Sequence, residues 1–540
     1  MRRLWTVVWL LVGVGFLGSA SPGLDPADEI YTFLALCEGA GYVDHLPPLK
    51  PYPETVLREL LSQVVDRSTG LVRERALQYL DQVGTETSIE GSGGVDLRMN
   101  ASGEFFGIGG GGIDARMYPA SGVEILADWG LYLVDKQEGA SLALARPPRR
   151  DLLMEGMALS SYETLQMDLV ADSSDFEIGE RTYYVKQSIH SAVTLGSSDL
   201  FFQAGLMRSS YGVWDEEGIV ISQDAPHAPR FDLVWRTPWF TYTWLYMELV
   251  ATDNEGAGSC RGKHLRLQGL SIPIFPWLSF GIWETVIWGP EFDLYYFLPL
   301  SQLTYQQIYA GAPDNSLFGL SLAARLPHGI KATLEVYVDD AEFYDLVEFN
   351  FNTLYKASLR AGLQWSAFTP FLAGISLDYL LITPYMYTHR DSSDVNYLNY
   401  THDGVNLGPA LPPNSDRIQV KAVLTPVSSL RWIPSLRFIR HGNASEGYEN
   451  VEPGDGSIFD DGYTEDGYPT FDAQPTRFLT QEVIEKTLQI TQQLSYKVPA
   501  FHGVLELEGG YTYEYIWNVD LEEGREAANH YFWFGTRFSW

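Results

Sequence analysis

From Val95 onward the chain alternates between apolar and polar positions with a period of two. In 123–134, Val123, Ile125, Ala127, Trp129, Leu131 and Leu133 share one face, opposite Glu124, Asp128 and Tyr132. In 331–340, Ala332, Leu334, Val336 and Val338 oppose Lys331, Thr333, Glu335 and Asp339. Residues 417–424 and 505–515 repeat the scheme, the latter setting Leu505, Leu507, Tyr511, Tyr513 and Tyr515 against Glu506, Glu508, Thr512 and Glu514. This is the period of a β-strand, whose side chains point alternately to its two faces. The last ten residues follow it too, with Phe532, Phe534, Thr536, Phe538 and Trp540 on one face. Periodicity alone leaves two readings, a soluble sandwich whose apolar faces meet or a barrel whose apolar face meets lipid.

The connections decide between them. Walking back from Trp540, the links near Ala500, at 426–429, near Pro370, and at 327–329, 273–276 and 196–198 are tight. Those between them, at 209–226, 290–313, 389–415 and 442–480, are long and read as polar. Short turns at one end and long loops at the other belong to a transmembrane barrel, whereas a Greek-key sandwich has no need of them. Strand lengths match tilted membrane strands of roughly 9 to 11 residues. The walk gives about twenty strands with both chain ends at the periplasmic side. The glycine-rich stretch 107–112 marks its earliest and most weakly patterned hairpin.

Residues 24–83 differ. Segments 30–37, 54–65 and 71–83 carry apolar residues at helical spacing, for example Val56, Leu57, Leu60, Leu61 and Val64. The proline-rich stretch 46–53 between the first two predicts an extended connector. Ahead of these, Arg2 and Arg3 precede the apolar run 4–17 and the small residues Gly18, Ser19 and Ala20, which predicts a signal peptide cleaved between Ala20 and Ser21. The expected division is a signal peptide over 1–20, a periplasmic helical cap over 21–90 and an outer-membrane β-barrel over 91–540.

Composition narrows the function. Only Cys37 and Cys260 are available, so disulfides do not brace an exported chain of 540 residues. The formal charge is −33; without Arg2 and Arg3 it is 34 − 69 = −35. That balance excludes nucleic acid as a partner. Asp215, Glu216 and Glu217, with Asp253, Glu255, Asp391, Asp394, Asp520, Glu522 and Glu523, fall on long connections and predict an acidic outer face that repels a polyanion unless divalent cations bridge. No nucleophile elbow, zinc-binding helix motif, phosphate loop or Cys-x-x-Cys pair occurs, and no enzyme is expected. Within 442–480, Asp455, Asp460, Asp461, Glu465 and Asp466 offer hard oxygen ligands among glycines, a set that suits Ca²⁺, although its spacing departs from calcium loops and a solvated acidic loop is the alternative. Arg146, Arg149 and Arg150 form the only dense basic spot in the barrel region, either a seat for an anionic sugar or a solvated strand end.

Taken together, these pieces resemble the Wzi-type capsule assembly family of outer-membrane proteins. The likeness rests on Tyr31 to Leu36 through Gly41-Tyr42-Val43-Asp44 to Lys50-Pro51-Tyr52, on Gly262-Lys263-His264-Leu265-Arg266-Leu267 followed by 277–289 with Glu284, on Asp314-Asn315 ahead of Asp339-Asp340, and on 407–416. The resemblance implies eighteen strands, within a range of 16 to 20, closed by a periplasmic helical bundle. It also implies a surface lectin that holds capsular polysaccharide; a porin-like channel for small solutes is the alternative. The implied partners are outer-membrane lipid, the barrel assembly machinery, for which Phe532, Phe534, Phe538 and Trp540 form the insertion strand, and surface polysaccharide.

Overall fold

The computed structural model describes residues 25–540 except 85, 102–104, 136–174, 179–180, 302, 304–313, 341–353, 390, 392, 428, 445, 447–456, 461–474 and 501–502. Ala20 and Ser21, with the whole expected signal peptide, lie outside the described residues.

Among the described residues, eighteen antiparallel strands close into one ring. In chain order they are β1 (Ser88–Asn100), β2 (Phe105–Ala120), β3 (Val123–Asp135), β4 (Arg181–Gly196), β5 (Leu200–Met207), β6 (Ala228–Arg236), β7 (Thr241–Ala251), β8 (Cys260–Phe275) and β9 (Leu278–Trp288). They continue as β10 (Asp314–Leu326), β11 (Ile330–Asp340), β12 (Lys356–Ser366), β13 (Leu372–Ile382), β14 (Ser415–Val427), β15 (Leu430–His441), β16 (Glu485–Ala500), β17 (Gly503–Trp517) and β18 (Glu526–Ser539). The ring closes where β18 pairs with β1, Phe534 opposite Leu97 and Ser539 opposite Ser92. The figure of about twenty from the connections is thus corrected to eighteen, the number the resemblance implies. Thr401–His402 with Val405–Asn406, and Leu49–Lys50 with Ser210–Tyr211, are short pairs off the ring. The glycines of 107–112 lie inside β2 rather than at a turn.

The faces are inverted relative to a soluble protein. On β11 the buried side chains are Lys331, Thr333, Glu335, Tyr337 and Asp339, while Leu334 and Val336 stay partly exposed. Phe534 on β18 is 48% exposed, and Phe532 and Trp540 are exposed with it. A sandwich core would bury these rings; a barrel turns them toward lipid and keeps its polar face inside.

Among the described residues, three helices precede the barrel: α1 (Glu29–Ala40), α2 (Glu54–Arg67) and α3 (Leu71–Gln82). Asp28 caps α1 by accepting from the Ile30 amide at 3.0 Å, and Gly41 ends it in the left-handed conformation, φ 81°. Val56, Leu57, Leu60, Leu61 and Val64 form the buried stripe of α2, as the spacing predicts. The helices sit at the tight-turn end of the barrel. There Lys331 pairs with Glu38 at 2.5 Å, Lys497 with Glu29 at 2.6 Å, and Arg325 donates to the Val43 carbonyl at 2.9 Å. The connector of 46–53 is extended, and its residues Leu49–Lys50 form one of the off-ring strands.

Candidate functional site: the occupied lumen

A segment read in sequence as an outer loop turns inward instead. After β5 the chain enters the barrel, and Ser210–Tyr211 pairs with Leu49–Lys50 of the N-terminal connector. Its acidic tip then meets cations of the wall and of the connector. Asp215 pairs with Lys50 at 3.3 Å, Glu216 with Lys421 at 2.5 Å, and Glu217 with Arg417 at 2.5 Å. The expectation that Asp215, Glu216 and Glu217 charge the outer face is therefore corrected. They are internal counter-ions, because a loop whose charges are matched inside the lumen loses less by burial than one with free carboxylates.

The network around Glu217 is dense. Arg417 also reaches Asp378 at 3.4 Å, and Arg360 approaches Asp378 at 3.6 Å and Glu217 at 3.8 Å. Gln419 donates to Glu216 at 2.9 Å, and the Ala410 amide donates to Glu217 at 2.6 Å. Burial raises the Glu217 carboxyl, but Arg417 and Arg360 outweigh it and bring it down to about 2. Burial acts on Glu216 in the same sense and is overcome by Lys421, so its carboxyl also lies below the usual range. Both are carboxylates at neutral pH.

Residues 383–389 and 393–414 roof this loop from the long-loop end. Tyr387 donates to the Ile219 carbonyl at 2.6 Å, and the Ser222 amide donates to the Leu407 carbonyl at 2.7 Å. Lys263, fully buried, donates to Thr401 at 3.1 Å. One contiguous buried apolar cluster runs from Ile30, Leu34 and Leu61 of the helices through Leu49 and Ile219–Ile221 to Tyr387, Tyr400 and Leu407 of the roof.

Of the residues singled out in sequence, Arg146, Arg149 and Arg150 lie outside the described residues, as do Asp455, Asp461, Glu465 and Asp466. Asp460 is described; it is buried, and the neighbouring Ile458 carbonyl accepts from Thr388 of the roof at 3.1 Å. Phe532, Phe534 and Trp540 point outward, and Phe538 stacks on Trp540 with centroids 5.5 Å apart. Sequence reasoning missed Arg230, Arg360 and Arg417, the largest fully buried side chains of the lumen. The signal was available, since all three occupy the polar face of alternating strands.

No family model and no curated protein matches this chain. Solved structures do. One is Wzi, an outer-membrane protein involved in group 1 capsule assembly in Escherichia coli and a carbohydrate-binding β-barrel. It is 10% identical over 96% of this chain and 99% of its own, with a TM-score of 0.57. The outer-membrane protein OprD from Pseudomonas aeruginosa is 9% identical over 84% of this chain and 93% of its own, TM-score 0.42. Pseudomonas aeruginosa OccK8 (OprE) is 9% identical over 84% and 98%, TM-score 0.43. The likeness to Wzi is one of fold, that of a bacterial outer-membrane barrel.

Proposed function

We propose that this chain is a plugged outer-membrane barrel that binds or anchors surface polysaccharide and carries no catalysis. The continuous buried cluster from the helices to the roof supports it, because a lumen filled by its own chain leaves binding, not passage, as the work of the surface. In this reading the helices close the periplasmic mouth and the long loops face the exterior. The fold shared with Wzi, itself a carbohydrate-binding barrel, points the same way. Glu255, Asp520, Glu522 and Glu523 remain exposed on long-loop connections, so an acidic polymer would need bridging cations. Two measurements on the purified barrel test this. In planar bilayers the reading expects no large stable conductance steps, and steps of porin size would replace it with the channel reading. With immobilised neutral and acidic polysaccharides it expects retention, lost in chelator for the acidic ones. Retention of none of them rejects the binding role.

A further inference from the structure

On β7, β8 and β9 both faces are covered, which happens nowhere else around the described ring to this extent. Leu245, Met247, Leu249, Leu265, Leu267 and Ile287 face the lumen and join its core. The alternate residues Tyr242, Trp244, Arg266, Gln268, Glu284 and Trp288 therefore project from the outer wall. Their neighbours on that wall are Phe231 and Trp235 on one side and Phe318 and Leu322 on the other, all exposed as lipid-facing residues are. Arg266 is nonetheless fully buried. What covers it is the connection after β9, a strap over 289–301 with Leu303 that folds down the outside of the barrel. It contains one helical turn, α4 (Leu294–Phe297), opened by Asp293 accepting from the Tyr295 amide at 2.7 Å.

The wall's polar side chains take up the strap's main chain. Arg266 donates to the Leu298 carbonyl at 2.8 Å and to that of Tyr296, while lying over the Trp244 ring at 5.5 Å. Gln268 donates to the Ser301 carbonyl. Glu284 accepts from the Leu303 amide at 3.1 Å, and the Tyr242 hydroxyl accepts from the Leu300 amide at 3.0 Å. Tyr296 and Leu303 are buried beneath, against Trp244, Tyr246, Val286 and Trp288. Above, Phe292, Leu294, Tyr295, Leu298 and Leu300 are exposed, Leu300 by 77%.

Height places this strap. A tilted strand climbs about 2.5 Å per residue, so Arg266 stands about 23 Å above the tight turn and Glu284 about 15 Å, both inside an apolar band about 25 Å tall. At that depth irregular backbone facing lipid is not tolerated unless protein satisfies its polar groups. Arg266, Gln268, Glu284 and Tyr242 supply that satisfaction, and the apolar side chains on top continue the lipid-facing wall. We infer that the strap over 289–301 is embedded in the bilayer, its Leu294, Leu298 and Leu300 in contact with lipid acyl chains. The polar set beneath is then not a ligand site but the fastening that allows a non-strand segment on the lipid side.

The unmodified protein in liposomes containing a lipid with a carbene precursor near the acyl terminus gives the direct test. After photolysis and peptide mapping, labelling within 289–301 should match that of the outward strand β15 around Leu436. Labelled strands with an unlabelled strap would overturn the inference. Independently, nitroxides on Leu300→Cys and on Leu298→Cys, each with Cys260→Ser, should be accessible to oxygen and shielded from a water-soluble nickel chelate, as one on Leu436→Cys is. Access of the chelate equal to that of a label on Glu255→Cys would equally overturn it.

Discussion

Several buried charges of this barrel are answered by particular neighbours, and that makes single residues testable. Glu217 faces Arg417 and Arg360, with Asp378 shared between them. Its carboxyl falls to about 2 in the folded chain, against roughly 4.3 unfolded, so its contribution is complete above pH about 4.3 and is lost as pH drops toward 2. Glu217→Gln leaves two buried guanidinium groups short of a counter-ion and should cost about 3–5 kcal/mol at neutral pH. Thermal unfolding followed by gel mobility in detergent, between pH 7 and 2.5, should show a lower midpoint for the variant and a weaker acid dependence. Glu54, at the start of α2, behaves in the opposite sense. Burial and the neighbouring Glu124 raise it to about 7, outweighing Arg116. The folded state then holds a proton that the unfolded state releases, and stability declines as pH rises from about 4.3 through 7. Glu54→Gln should remove this residue's share of that decline, which amounts to about 4 kcal/mol at most. Amide exchange in α2 at pH 5 and pH 8 measures it: faster at pH 8 in the wild type, and with a clearly smaller difference in the variant once intrinsic rates are corrected.

At the scale of the element, alternation told which residues share a face, and the alternating connection lengths told which faces look outward. That logic makes the cost of a charge depend on depth. Phe534 stands near mid-band and Phe538 one residue from the tight-turn end of β18. Phe534→Arg should cost about 2–4 kcal/mol and Phe538→Arg no more than about 1, read from equilibrium unfolding in lipid vesicles. Equal costs would mean that β18 does not cross lipid with this face outward. The strands and the α2 stripe were legible because each follows from a local period. Where a connection goes was not legible. The segment 290–313 read as a polar outer loop, although Phe292, Leu294, Tyr295, Tyr296, Phe297, Leu298 and Leu300 lie within it. The acidic run 215–217 read as surface, because its partners Lys50, Lys421 and Arg417 are brought to it only by closure of the ring. Pairing across some 200 residues of chain leaves no trace in a local window.

For the whole molecule, the decisive feature is that the two ends of the lumen are joined inside it. The connector from the helices pairs with the inward loop, Leu49 opposite Tyr211 and Lys50 opposite Ser210. The Gly212 amide donates to the Pro48 carbonyl at 3.0 Å, and Arg230 donates to both the Lys50 carbonyl and Ser209. Lys50 meets Asp215 as an ion pair that is almost fully buried on both sides. Loop and connector are thus one cooperative unit, since neither strand of a two-stranded pair keeps its hydrogen bonds without the other. Lys50→Ala removes the charge that answers Asp215 but leaves the strand's backbone donors in place. The expected outcome is loosening on both partners together: amide exchange should quicken about tenfold or more in 208–222 and in 46–52. That of β16 and β17, far around the ring, should stay unchanged. Adding Asp215→Asn should restore much of the protection, because the unpaired carboxylate, not the missing lysine, drives the loop out. Exchange that rises in the connector alone, with 208–222 still protected, would show that the helices and the inward loop fill the barrel independently.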